Sequence, residues 1–119
     1  MQEINVFVVD DHQIFLDGIV SLLDDEPNIK IAGTAHNGKI AIEKIKSSKV
    51  DVVLMDINMP EMDGIEATKQ LKQLFPTIKI LMLTMHSEPR FIKECLEVGA
   101  KGYVLKNISK DDLIKAIET

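Results

Sequence analysis

This sequence predicts an α/β domain in which a parallel sheet is covered by helices on both faces. Three observations point there. Five short apolar runs recur along the chain, and each is followed by a helical pattern. The third run, Val50-Asp51-Val52-Val53-Leu54-Met55, is nearly continuous in apolar residues, as a strand buried on both faces must be. At 119 residues, 45% of them hydrophobic, the chain is a single domain with enough apolar material for such a core.

Each element has its own warrant. Ile4 to Val9 is the first strand. The helix after it carries Phe15/Leu16, Ile19/Val20 and Leu22/Leu23, a stripe at the 3.6-residue period. Ile29 to Ala35 is a second strand, less apolar and therefore expected at an edge. Asn37-Gly38 leads into a helix with Ile40, Ala41 and Ile45 on its stripe. After the third strand a Pro-Glu-Met-Asp-Gly loop (60–64) precedes a helix from about Ile65 to Leu74, which Pro76 stops. Ile78 to Leu83 is the fourth strand. Ser87, Glu88 and Pro89 form a helix entry, and Gly99 ends that helix in a conformation glycine accepts. Tyr103 to Leu105 is the fifth strand, and Ser109-Lys110-Asp111-Asp112 resembles an N-cap with acids at the positive end of a helix. That helix reaches Thr119 after barely three turns, so we expect a piece of a longer protein.

Composition narrows the function. The net charge of −5, from 14 basic and 19 acidic residues, disfavours non-specific nucleic-acid binding, so DNA contacts are expected from another domain. No run of about 20 apolar residues is present, so no membrane partner is expected. The N-terminus carries acid where a secretory signal carries base, and the single Cys95 excludes an internal disulfide; both fit the cytoplasm. Cys95 lies in a helix stripe and reads as core packing rather than a reactive thiol.

Right-handed crossovers bring the carboxyl ends of all strands to one edge, where ligands bind in such folds. The residues ending the strands are Asp10-Asp11, Asp56, Thr84 and Lys106. Three carboxylates held together resist ionising unless a cation neutralises them, and magnesium suits one or two carboxylates with waters and phosphate oxygens. Lys106 is a point charge for an anion beside that metal, and Thr84 is a hydrogen-bond donor to it. A carboxylate is itself a nucleophile in phosphoryl transfer. Blander readings stand beside these. Asp10-Asp11 could cap the next helix, Asp56-Ile57-Asn58 could be a turn, Lys106 a solvated strand end and Thr84 an ordinary strand residue. Tyr103 could be a core aromatic with a wet hydroxyl. His12, His36 and His86 form no pair with ligand spacing and read as surface or loop residues.

Taken together, Val8-Val9-Asp10-Asp11-His12, Asp56 to Gly64, Leu83-Thr84-Met85-His86 and Gly102 to Lys106 resemble the receiver domains of two-component response regulators, in order and at receiver spacing. The resemblance covers the whole chain, residues 1–119. It implies a doubly wound, flavodoxin-like three-layer sandwich with strand order 2-1-3-4-5. It implies that Asp56 accepts a phosphoryl group from a sensor histidine kinase. Asp11 would ligate magnesium directly, Asp10 mainly through water, and Asn58 through its backbone carbonyl. Lys106 would pair with phosphoryl oxygens, while Thr84 and Tyr103 would carry the switch.

Asp11-His12, Leu83-Thr84-Met85-His86 and Lys106-Asn107 look like the NarL/FixJ or LuxR-type branch, in which a helix-turn-helix DNA-binding domain follows the receiver. The resemblance then implies transcription regulation, and dimerisation on phosphorylation. Two positions depart from the commoner receiver pattern. Asn107 stands where proline usually follows the lysine, so a trans link is expected. Met85 stands where a small residue is common, and its bulk would narrow access to the phosphoryl group; Asn58 and His86 are further candidates for modulating hydrolysis. Turnover of an external substrate is not expected. The competing classes are a free-standing receiver acting by docking, an aspartate-nucleophile phosphatase of the haloacid-dehalogenase kind, and a nucleotide-binding or structural module. The phosphatase would place an Asp-x-Asp pair after its first strand and carry a cap; the nucleotide module would need a glycine-rich loop.

Overall fold

The computed structural model describes residues 3–57, 59, 62–85 and 89–119, with the side chains of 89–91 left aside. Strands and helices alternate: β1 (Ile4–Val9), α1 (Gln13–Asp24), β2 (Ile29–Ala35), α2 (Gly38–Lys46), β3 (Val52–Asp56), α3 (Gly64–Leu74), β4 (Lys79–Thr84), α4 (Pro89–Glu97), β5 (Gly102–Leu105) and α5 (Lys110–Glu118). The strands form one parallel sheet in the order β2-β1-β3-β4-β5, as expected, with β2 at an edge.

Alternation along the strands divides the core in two. Val6, Val8, Val52, Leu54, Leu81, Leu83 and Val104 pack with Leu16, Ile19 and Leu23 of α1 and with Leu113 and Ile117 of α5. Phe7, Val9, Val53, Met55, Ile80 and Met82 face the other way, toward Ala41 and Ile45 of α2, Ala67 and Leu71 of α3, and Cys95 of α4. Each Val, Leu, Ile, Phe or Met side chain among them, taken out of water, contributes roughly 1.5–3 kcal/mol before the entropy of ordering is subtracted. The period of two fixes which face each strand-end residue continues.

Among the described residues, three helices begin on side-chain caps. Asn37 Oδ1 accepts from the Ile40 N–H at 2.8 Å, Asp63 Oδ1 from the Glu66 N–H at 2.8 Å, and Ser109 Oγ from the Asp112 N–H at 3.2 Å. The Asp63 cap starts α3 one residue earlier than its apolar stripe predicts. Next to it, Gly64 donates to the Ile57 carbonyl at 2.7 Å, and a Cβ at Gly64 would lie 2.0 Å from the Asp56 carbonyl oxygen. Only glycine allows the start of α3 this close to the end of β3. Gly99 follows α4 at φ 113°, in the left-handed region that closes a helix, and the Ala100 N–H reaches back to the Cys95 carbonyl at 3.0 Å. Ser87 and Glu88, read as part of the entry to α4, lie outside the described residues.

β3 starts at Val52 rather than Val50. The reason is chemical: Asp51 turns its carboxylate to β1, where Oδ2 accepts from the Asn5 N–H at 2.8 Å and from Asn5 Nδ2 at 3.0 Å. At this same amino edge Lys79 Nζ donates to the Ala116 and Ile117 carbonyls at 2.7 and 3.1 Å, neutralising the negative end of α5. An open cavity of about 780 Å³ lies among these groups, lined by Asn5, Lys30, Asp51, Lys79 and Ile117 among others. No peptide bond among the described residues is cis, so the Lys106–Asn107 link is trans as expected.

Candidate functional site

Asp10 directly follows β1, Asp56 is the last residue of β3, and Lys106 directly follows β5. All three continue the alternation that sends Val8, Leu54 and Val104 toward α1 and α5, which is why residues 46 and 50 positions apart in sequence converge. Lys106 Nζ lies 2.8 Å from Asp10 Oδ2 and 3.1 Å from Asp56 Oδ1, bridging two carboxylates that are almost wholly buried. The Asp10 contact is ionic rather than an aligned hydrogen bond, because Asp10 Oδ2 satisfies the distance without the geometry of one. Beneath the ammonium is the ring of Phe15, 4.8 Å from Nζ to centroid, a cation–π contact from α1.

The electrostatics follow from burial. Burial pushes the Asp56 carboxyl up from 3.8 to about 7, and the Asp10 charge adds to it, against the opposing pull of Lys106. Burial alone would lower the Lys106 ammonium, but its close contacts with the Asp10 and Asp56 carboxylates hold it above its ordinary value. One cation therefore faces more negative charge than it can neutralise.

Asp10 Oδ2, Asp11 Oδ1 and Asp56 Oδ2 are buried without a hydrogen bond. Ligand atoms of Asp10, Asp11, His12 and Asp56 lie within 4.8 Å of one another. Orphaned buried carboxylate oxygens facing one another are the donor set a small divalent cation needs, so these residues fit magnesium.

The capping alternative for Asp10-Asp11 is met only in part. Asp10 Oδ1 accepts from the His12 N–H at 2.8 Å, yet the N-cap of α1 is His12 and its side chain caps nothing. Thr84, half-buried at the end of β4, accepts the Lys106 N–H through its carbonyl at 2.8 Å. Tyr103 is 42% exposed and Met85 70%, so neither belongs to the core. Thr84 and Tyr103 have the opposite alternation from Asp56 and Lys106 and stand on the α4 side of the edge. Asn58 and His86 lie outside the described residues. Cys95 is buried, and burial pushes its thiol up, in keeping with packing.

Sequence reasoning missed two residues of this site. Phe15 has the same spacing as the apolar stripe of its helix. His12 finds its neighbours not in the other histidines but in the acids before it: Nδ1 is 3.3 Å from Asp10 Oδ1 and 3.2 Å from Asp11 Oδ1.

A parallel β2-β1-β3-β4-β5 sheet with this acid–lysine edge defines a receiver-type α/β domain. Comparison with known proteins gives the family. Residues 6–118 match the response regulator receiver domain, and the chain belongs to that family. The transcriptional regulatory protein DegU of Brevibacillus brevis is 38% identical over 116 residues, covering 98% of this chain and 49% of DegU. The receiver domain of NarL from Mycobacterium tuberculosis superposes with a TM-score of 0.91 at 31% identity, over 99% of this chain and 95% of that one. RcsB of Salmonella enterica serovar Typhimurium, solved on the rprA promoter with the phosphomimetic BeF3−, gives a TM-score of 0.89 at 30% identity, over 99% of this chain and 68% of that one. These neighbours agree with the NarL and LuxR-type branch expected from the motifs. The chain spans about half the length of the curated relatives it matches, 49% of DegU. Among the described residues no helix is long and apolar enough to cross a membrane.

Proposed function

We propose that this domain is a phosphorylation switch in which Asp56 receives a phosphoryl group from the phosphohistidine of a sensor kinase. The observation that carries the reading is the buried Asp10–Lys106–Asp56 bridge with orphaned carboxylate oxygens beside it. Of the two Asp56 oxygens, the orphaned Oδ2 fits the cation, which leaves Oδ1, paired with Lys106 before the reaction, as the attacking atom. Its lone pair forms the new O–P bond as the P–N bond to the donor imidazole breaks. Lys106 then follows the charge, leaving the carboxylates for a phosphoryl oxygen. Asp11, Asp10 through water, Asp56 and the Asn58 carbonyl would hold magnesium, which when bound neutralises phosphoryl oxygens. Thr84 donates its hydroxyl to the phosphoryl group, and Tyr103 turns inward as the end of β4 shifts.

The switch is read by a DNA-binding domain following the receiver, for which the promoter-bound RcsB offers a precedent. Phosphorylation raises self-association, and no external substrate is turned over. The protein works in the cytoplasm. Acetyl phosphate with magnesium tests the chemistry: intact-mass analysis should find one added phosphoryl group, absent in Asp56→Asn. Labelling of that variant to the wild-type extent overturns the assignment of Asp56. Sedimentation with beryllofluoride and magnesium tests the output, and an unchanged mass removes dimerisation from it.

A further inference from the structure

The cation site holds more donor chemistry than its carboxylates. His12 has a fixed backbone: its N–H donates to Asp10 Oδ1 at 2.8 Å and its carbonyl accepts from Leu16 N at 3.0 Å. Its side chain is 70% exposed and caps nothing, so neither packing nor helix termination accounts for its place. Nδ1 forms a hydrogen bond of 3.3 Å with Asp10 Oδ1 and lies 3.2 Å from Asp11 Oδ1. Neighbouring ligands of an octahedral ion with bonds of about 2.1 Å are roughly 3 Å apart, so this spacing is that of adjacent coordination positions. A second observation points to a ligand independently. The Asp56 side chain is 6% exposed and its Oδ2 has no hydrogen bond, and Asp11 Oδ1 lacks one as well.

We propose that His12 is a nitrogen donor to this cation site and tilts its selectivity toward divalent ions that accept imidazole, manganese among them, relative to magnesium. The inference rests on the cation site of the preceding section and adds a ligand to it. Magnesium demands oxygen and retains its waters, so the exposed imidazole stays off it and leaves that position wet. Manganese accepts oxygen and nitrogen together, so the ring closes onto it through Nδ1 with the proton on Nε2, facing solvent. A receiver with this residue would work with either ion but bind manganese with an added contact.

The test is equilibrium binding by the metal-free 119-residue chain at pH 8. Manganese is followed by the paramagnetic resonance of the free ion and magnesium by competition, in the wild type, His12→Ala, His12→Gln and Asp11→Ala. Both His12 variants should lose manganese affinity roughly tenfold, the lower end of the loss seen when supporting residues of metal sites are removed. Magnesium affinity should be unchanged. Bound manganese in the wild type should show nitrogen coupling in its spin-echo modulation, absent from both variants. Equal affinities for manganese across wild type and His12 variants, without nitrogen coupling, overturn the inference and reduce His12 to a hydrogen-bonding partner of Asp10. In that case loss of binding in Asp11→Ala alone leaves the carboxylate site standing. Full manganese binding by Asp11→Ala, with circular dichroism unchanged, overturns the site and the inference together.

Discussion

The two edges of the sheet handle charge in opposite ways. At the amino edge Asp51 is satisfied by two donors of Asn5, and Lys79 by two carbonyls at the end of α5. At the carboxyl edge, among the described residues, three buried carboxylate oxygens have no hydrogen bond, and one ammonium serves two acids. The cavity of about 780 Å³ lies at the satisfied edge, while a smaller one of about 550 Å³, lined by His12, Phe15 and Lys106 among others, adjoins the site with the chemistry. Unmet polar valence, rather than empty volume, locates the function here.

The largest effect that sharpens this contrast is on labelling. Asp56→Asn should abolish phosphorylation by acetyl phosphate, whereas Lys79→Met should leave its rate within about twofold, as distant sites behave independently. A large loss in Lys79→Met, measured by intact mass over time, would break the division between edges.

Stability against pH is the next. Because the folded Asp56 carboxyl is raised to about 7 from 3.8, the fold binds more protons than the unfolded chain between those values. Metal-free stability is therefore lost as pH rises from about 4 through about 7. Asp56→Asn should lack that loss and at pH 8 should exceed the wild type by roughly 1–3 kcal/mol, the cost of an unsatisfied buried group. Urea titrations at pH 5 and pH 8 measure both. Lys79→Met should go the other way, losing about 1 kcal/mol at either pH as the end of α5 is uncapped.

How legible all this was in sequence depended on the kind of signal. Apolar runs and stripes carried the strands and helices, because burial imposes its period on composition. Asp10, Asp56 and Lys106 could be named because the residue that ends a parallel strand reaches the edge whatever the loops do. The beginning of β3 escaped, since the Asp51–Asn5 pairing is a contact across 46 positions with no local mark. Phe15 escaped because a ring beneath Lys106 and a ring in the core leave the same trace in a helix stripe.

Two smaller effects complete the comparison. Cys95, buried and with its thiol pushed up, should react with a maleimide only under denaturing conditions. Met85→Ala should speed loss of the phosphoryl group modestly, because a side chain 70% exposed at the end of β4 obstructs water only in part. Decay of the phosphorylated mass, measured also in a His86→Ala background, checks it; equal rates dispose of the obstruction.

The alternation that brings Asp10, Asp56 and Lys106 to one side of the sheet also decides which mutations the gene can absorb. Asp10 is spaced from Val8, Asp56 from Leu54 and Lys106 from Val104 by two residues in each case. A single codon inserted or deleted within any of these strands sends its charged end to the α2–α4 side, even where the apolar residues regain a passable packing. Length polymorphism in this domain should therefore be confined to connections away from these strand ends, and lineages should diverge there by insertion while the strands change by substitution alone.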